Sequence, residues 1–421
     1  MYKYKYIPII YILIILLFLQ SNTRITEQKF AGQTSTTIPN NIGIQTHMIN
    51  SPVNVNLIKD NGFKIVREDI RWANVEKLKN NYDYTIYDSF NQNLVKNNIR
   101  PYYTLGFSNP LYEENNSILT EEGRKAFVKF VEKTVKRYSN QNAIWEIWNE
   151  PNIESFWSPN FTSIDGYLKL VEETATVIKK YDKSGIIVAP ALSGISSHSL
   201  LWLEESFNKG LLTYIDAISV HPYRSENPET VIEDYKKLRK LISIYSDKHI
   251  PIISGEWGYS TALAWYGSKL TEKQQADYLV RMLLVNLYSN VEISILYDWK
   301  NGGDNPDEGE QNFGIRKYNE NTTKEAAVAL YNFSKTLNGY YFSKRVNTNK
   351  NSDYILEFKN NKDDNIYVYW TESESHHYNW PFLENSSWFY ININGQSTKY
   401  WEKGNSKLWF SSSPAYIKIE K

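Results

Sequence analysis

The sequence predicts an α/β protein: a (β/α)8 TIM barrel followed by a small C-terminal antiparallel β-domain. Three observations carry that prediction. Short apolar runs alternate with longer amphipathic stretches eight times between Asn41 and residue 338. The fourth run, A-I-W-E-I-W-N-E-P-N at 143–152, and the seventh, P-I-I-S-G-E at 251–256, each deliver a carboxylate to the carboxyl end of a strand, the end at which a barrel presents its functional groups. Beyond residue 340 the pattern changes to alternating aromatic and polar residues between clusters of Asn, Asp, Lys and Gly.

Residues 1–30 form the first region. Lys3 and Lys5 precede an uncharged apolar run at 7–19, which has the charge order of a secretory signal and is short against the ~20 residues of a membrane span. Leu19-Gln20-Ser21 is a weak cleavage site, so the segment reads as a signal peptide or as an N-terminal membrane anchor. Either reading predicts export, to a secreted, periplasmic or cell-surface location, with membrane association through this segment in the second case. Residues 21–39 are polar and Ser/Thr-rich and read as a linker or an added strand.

The barrel is expected over 31–339. Its strands fall at 42–48, 63–72, 99–107, 143–149, 185–192, 217–223, 250–256 and 291–299. Helical periodicity lies between them at 121–138, 164–181, 228–245 and 271–288, and a last helix follows at 323–337. In the first of these Phe127, Phe130, Val131, Thr134 and Val135 share one face while Lys and Arg cover the other. A doubly wound open sheet is the alternative, but it has fewer units and a Gly-rich phosphate turn after its first strand, which Gly43-Ile-Gln-Thr-His lacks. A β-sandwich-like accessory domain is expected over 340–421, with strands at Tyr354-Ile-Leu-Glu-Phe-Lys, Asn365-Ile-Tyr-Val-Tyr-Trp, Trp388-Phe-Tyr-Ile-Asn-Ile and Ala415-Tyr-Ile-Lys-Ile.

Composition narrows the function. The 47 basic and 47 acidic residues balance, so no net field favours nucleic acid. Cysteine is absent, which excludes disulfides, zinc–thiolate sites and a thiol nucleophile. The six His are scattered, and His376-His377 lacks the spacing of a zinc pair; the acidic loop at 304–310 does not follow a calcium-loop pattern. No metal and no cofactor is expected. Aromatics make up 15 % of the chain, with 13 Trp and 33 Tyr; they supply flat faces for sugar rings as well as core.

The strand tips supply the chemistry. Glu150 follows Asn149 on the fourth strand and precedes a proline, and Glu256 ends the seventh. Two carboxylates across a barrel mouth are the requirement of glycosidic bond cleavage, one as proton donor and one as nucleophile or base. Alone, Glu150 could start a helix and Glu256 could be structural; the pair at matching tips favours chemistry. Other tips bring His47, Arg67 with Asp69, Phe107 with Ser108, His221-Pro-Tyr223 and Tyr297-Asp-Trp299 to the same end. His221 could equally be a core histidine, and Arg67 could serve only to pair a carboxylate; if that carboxylate is Glu256, the cation would also keep it ionised. On the loops at 108–120, 153–164 and 262–271, Trp157, Trp265 and Tyr266 either line the cleft or cover the barrel rim.

Trp-Asn-Glu-Pro-Asn at 148–152, His221-Pro-Tyr and Ser254-Gly-Glu-Trp-Gly-Tyr resemble the clan A glycoside hydrolases. Tyr297-Asp-Trp-Lys-Asn-Gly-Gly-Asp-Asn-Pro, continuing to Gln311-Asn-Phe-Gly-Ile, resembles family 39, among them bacterial exopolysaccharide hydrolases with a trailing β-domain. A tighter match to the xylosidase or iduronidase branches is not visible. The resemblance implies a retaining glycoside hydrolase, endo-acting on a polysaccharide, with Glu150 as acid/base and Glu256 as nucleophile. It implies that Asn149 binds the sugar 2-hydroxyl, that His221 and Tyr223 orient Glu256, and that Trp299 floors the reacting subsite, with Arg67 and His47 among the substrate-binding residues. The expected partner is a polysaccharide, and the expected state is a monomer. Two alternatives stay open: a transglycosylase using the same residues, and a non-catalytic polysaccharide-binding barrel involved in export.

Overall fold

The computed structural model describes residues 37–49, 51–159, 163–263, 269–400 and 406–420. The N-terminal apolar run and most of the 21–39 segment, along with Trp265 and Tyr266, lie outside the described residues. Among the described residues no helix is long and apolar enough to cross a membrane.

The barrel wall is built from β1 (Ile42–Gln45), β2 (Ile65–Arg71), β3 (Arg100–Gly106), β4 (Ile144–Ile147), β5 (Ile186–Val188), β6 (Leu192–Ser193), β7 (Ile218–His221), β8 (Ile252–Trp257) and β9 (Ile293–Leu296). Every pairing is parallel, in the order β5-β4-β3-β2-β1-β9-β8-β7-β6. A bridge between Val188 and Ala217 joins the two ends of that order and closes the wall. The fifth expected strand is therefore two pieces. Pro190 has no N–H to extend the ladder and Ala191 turns left-handed (φ 55°), so the chain leaves the wall after Val188 and rejoins it at Leu192.

Packing explains why the strand runs are apolar throughout. Ile65, Tyr102, Ile144, Ile186, Ile253 and Ile295 form part of an inner cluster that fills the barrel. The alternate residues, such as Val66, Tyr103, Trp145 and Leu296, face outward into a larger cluster under the helices. Gly43 is required by the inner layer, because a Cβ there would collide with Ile295 and Ile65.

The helices sit where periodicity and capping put them. Those named here are α1 (Val55–Asp60), α2 (Trp72–Val75), α3 (Thr85–Lys96), α4 (Glu121–Tyr138), α5 (Ile164–Tyr181), α6 (Ser197–Asn208), α7 (Val231–Tyr245), α8 (Glu272–Tyr288) and α9 (Glu325–Thr336). Thr120 caps α4 by accepting from Gly123 N–H, and Thr271 and Gln274 form a reciprocal capping box at α8. The expected helix at 228–245 begins as one 3₁₀ turn over Pro228–Thr230 before α7.

The C-terminal sheet is antiparallel throughout: β10 (Tyr341–Arg345), β11 (Asp353–Lys359), β12 (Asn365–Thr371), β14 (Trp388–Ile391), β15 (Ser397–Tyr400) and β17 (Ala415–Ile419), in the order β10-β11-β12-β17-β14-β15. A ribbon of β13 (His376–Asn379) and β16 (Lys407–Phe410) accompanies it. This sheet is fastened to the barrel by a buried polar knot. Arg281 of α8 pairs with Glu229, and the Trp370 indole N–H donates to the same carboxylate (2.6 Å).

Candidate active site

The carboxyl ends of the strands open on a cavity of about 500 Å³. The chain beyond β4 turns sharply to reach it: Trp148 and Glu150 both adopt left-handed backbone (φ 69° and 45°), which bulky L-residues rarely do. Neighbouring strand ends hold that turn, with Trp148 N–H donating to the Leu105 carbonyl (3.1 Å) and Glu150 N–H to the Ala191 carbonyl (2.9 Å). Such backbone gathers at functional sites because the surrounding fold must hold it in place. On the facing wall Gly255 precedes Glu256, and a Cβ at Gly255 would collide with Ser219.

The two carboxylates have different neighbours. Glu256 accepts from Arg67 Nη1 (2.6 Å) and from the Tyr223 hydroxyl (3.0 Å), and its side chain is 17 % exposed. Glu150 lies 2.8 Å from His221 Nδ1. Burial opposes a charged imidazole, but Glu256 and Glu150 outweigh it and lift His221 above its ordinary value. Burial, with Glu256 beside it, holds Tyr223 well above the ordinary phenol range, so it stays a hydrogen-bond donor.

Arg67 ties the floor together. Its Nη2 donates to Asn149 Oδ1 (2.8 Å), its Nη1 also to Gln45 (2.8 Å), and its Nε to Glu146 (2.8 Å). Burial pulls against its charge, yet Glu146, Glu256 and Asp69 raise it well above its ordinary range.

The structure brings Asn149, Glu150, Glu256, His221, Tyr223, Arg67 and His47 to one cavity. Two expectations need correction. His221 bonds Glu150 rather than Glu256, and Tyr223 alone of the pair contacts Glu256. Trp299 does not line the cavity: it is buried at 1 % exposure, donates to Glu320 (2.8 Å) and lies under the Arg316 guanidinium. The chain beyond β9 turns so that Tyr297 faces the cavity instead, edge-on to His47, Tyr223 and Phe313. Trp157 is core as well, packed edge-on to Trp148 and Tyr167.

Sequence reasoning missed Glu146, Gln45 and Phe156. Glu146 left a signal, since a charge in the middle of an apolar strand must find a buried partner. Glu310, on the acidic loop, reaches the cavity; burial raises its carboxyl, and Glu256 and Glu308 add to the rise. Burial likewise lowers His47, against the pull of Asp69 and Glu256. Among the described residues no group of three or more His, Asp or Glu side chains is arranged to hold a metal ion.

Comparison with known proteins agrees with the barrel fold. The family model described as cellulase, glycosyl hydrolase family 5, matches residues 28–305. A β-xylosidase of Geobacillus stearothermophilus is 25 % identical over 241 residues, covering 49 % of this chain and 46 % of that protein, a likeness the motifs alone did not single out. The chain thus spans about half the length of the curated relative it matches. Among solved structures, a family 39 glycoside hydrolase from the gut symbiont Bacteroides cellulosilyticus WH2 superposes with a TM-score of 0.76 at 22 % identity, covering 90 % of this chain and 81 % of the other. A family 39 β-xylosidase from Caulobacter crescentus superposes at 0.66 and 14 % identity, covering 90 % and 96 %. The chain belongs to the cellulase family, glycosyl hydrolase family 5, and its fold is similar to that of family 39 glycoside hydrolases.

Proposed function

We propose that this protein is a retaining glycoside hydrolase that cleaves a polysaccharide internally, a bacterial exopolysaccharide in the first instance, with Glu150 as acid/base and Glu256 as nucleophile. One observation carries the reading: the two carboxylates line the same cavity in opposite settings, Glu256 against a guanidinium and a phenol, Glu150 against an imidazole. A carboxylate held by two donors is oriented for attack, while one that shares a hydrogen bond with a histidine has beside it a group that can pass a proton.

In the first half-reaction a Glu256 oxygen gives an electron pair to the anomeric carbon. The bond to the leaving oxygen breaks with its pair, and that oxygen takes the Glu150 proton. In the second, water loses a proton to Glu150 as its oxygen attacks the same carbon, and the pair of the ester bond returns to Glu256. Asn149, held by Arg67, is set to bond the sugar 2-hydroxyl. Tyr297 takes the place assigned to Trp299 as the aromatic wall of the reacting subsite. A cavity of about 500 Å³ lies within the roughly 300–1,000 Å³ range of ligand-binding sites. The names of the relatives, β-xylosidases and a family 39 glycoside hydrolase, support hydrolysis of a glycosidic bond.

The test is release of reducing ends from a panel of bacterial exopolysaccharides and xylan by the wild type beside Glu256→Gln. Release by the wild type alone, with products of intermediate length, supports internal hydrolysis. Binding of one polymer by both proteins with cleavage by neither refutes it. Export is proposed on the charged and apolar order of residues 3–19 and is checked by fractionating cells that express the full chain.

A further inference from the structure

Glu146 is a charged residue with no exposure and no place in the cavity lining. Its surroundings are unusually complete. Oε2 accepts from Arg67 Nε (2.8 Å) and the Thr104 hydroxyl (3.0 Å) and lies 2.6 Å from Arg67 Nη2; Oε1 accepts from the Tyr102 hydroxyl (2.6 Å). Burial alone would raise this carboxyl, but Arg67, His221 and the hydroxyls of Tyr102 and Ser219 hold it below its ordinary value, so it is an anion. Every nitrogen of Arg67 is thereby engaged: Nε and Nη2 with Glu146, Nη2 also with Asn149, Nη1 with Gln45 and Glu256.

We propose that Glu146 is a positioning residue that divides the Arg67 charge between itself and Glu256, and so keeps Glu256 electron-rich enough to attack. The inference rests on the reading of Glu256 as nucleophile. As Glu256 gives its pair to the anomeric carbon it loses negative charge, and any cation that held that charge in the ground state opposes the step. With one guanidinium serving two carboxylates, the opposition is lessened while the geometry is kept. The return step runs the other way: Glu256 regains its pair as the ester breaks, and Arg67 favours it. Glu146 thus acts on the two half-reactions unequally, which a merely structural residue would not do.

The two halves can be read separately with a panel of 2,4-dinitrophenyl 2-deoxy-2-fluoroglycosides, by the rate at which the peptide bearing Glu256 gains the sugar mass and the rate at which activity returns. Glu146→Gln removes the competing charge, and the expected result is labelling about tenfold slower than wild type with reactivation as fast or faster. Glu146→Asp retains the charge but withdraws it from Arg67; it is expected to lie between the two, and it serves if the Gln variant does not fold. Equal slowing of labelling and reactivation in whichever variant folds, or no change in either, overturns the proposal. Release of products of inverted configuration by the wild type, read by NMR on the polymer it cleaves, refutes the retaining mechanism itself, and this inference falls with it.

Discussion

Glu68 neighbours Arg67 on β2 but points away from the cavity, and it makes a prediction that can be worked from the structure. It is buried at 2 % exposure, and one oxygen accepts from the Thr46 hydroxyl (2.6 Å) and from Met48 N–H (3.0 Å). Burial raises its carboxyl from 4.5 to about 8, against the pull of those two hydrogen bonds. The sign follows from the protons held. Between 4.5 and about 8 the native protein keeps a proton that the unfolded chain has released, so stability is full below that window, falls as pH rises through it, and levels off above it. At 1.36 kcal/mol for each pH unit the loss across the window is on the order of 5 kcal/mol. Glu68→Gln offers the same acceptor oxygen and has no proton to lose. The variant is expected to match the wild type near pH 5 and to be more stable by most of that amount near pH 9. Urea titrations at several pH values check this, with unchanged slope and a midpoint gap that widens with pH. His47 lies between the two residues that Glu68 anchors, so the wild type is also expected to lose activity on the alkaline side sooner than the variant. Parallel stability curves from pH 5 to 9 would refute the reasoning, because they would mean that the buried carboxyl titrates alike in the folded and unfolded states.

Four further outcomes follow from the site. Glu150→Gln and Glu256→Gln are each expected to lower kcat by several orders of magnitude with unchanged Tm; normal turnover in either variant sinks the catalytic assignment. Azide is expected to restore activity to Glu256→Ala on activated substrates and to give a product of inverted configuration, read by NMR, because it fills the space the carboxylate leaves. Tyr223→Phe removes one of two donors to Glu256 and is expected to lower kcat about tenfold to a hundredfold with KM little changed; a change in KM alone would move Tyr223 to substrate binding. Trp299→Phe shrinks a fully buried ring and removes the indole donor to the half-buried Glu320, so a stability loss of ~1–3 kcal/mol is expected with no change in KM, and a large rise in KM would return Trp299 to the subsite.

The fold was legible where local signals agreed with burial. The expected helices at 121–138 and 164–181 coincide with α4 and α5, because each pairs an apolar face with a defined start, and Thr120 and Ser163 stand at the caps. Strand positions were legible for the same reason, but their ends were overrun. Apolar residues continue past the strand ends at Trp148, which is still buried although the chain has left the sheet, and at Tyr297, which is half-buried on the cavity wall. The break at Pro190 was visible in the sequence as a residue without an N–H; what hid it was the apolar run of 185–192, which continues across the gap because both pieces face core.

The site divides along a different line. Glu150 and Glu256 could be found because a carboxylate at a strand tip is a local feature, readable from strand period and position alone. Which side chain meets which across the barrel is not local. His221 and Tyr223 stand two residues apart on one strand end, yet one reaches Glu150 and the other Glu256, and that choice depends on how β7 lies against β8 on one side and the broken β5–β6 edge on the other. The aromatic wall failed for a related reason. Alternation assigns a face only while the chain remains in the sheet, and β9 ends at Leu296, one residue before Tyr297. Beyond that point the larger ring of Trp299 was no guide, because ring size says nothing about direction once the period is lost. Glu146 is the instructive omission: it sits in the most informative segment of the chain, and its burial required a cation. The barrel interior near it offers Arg67, and Arg67 also holds Glu256. A rule that every strand-interior charge must be paired before tip residues are assigned would have linked Glu146 to Arg67, and Arg67 to the nucleophile, from the sequence alone.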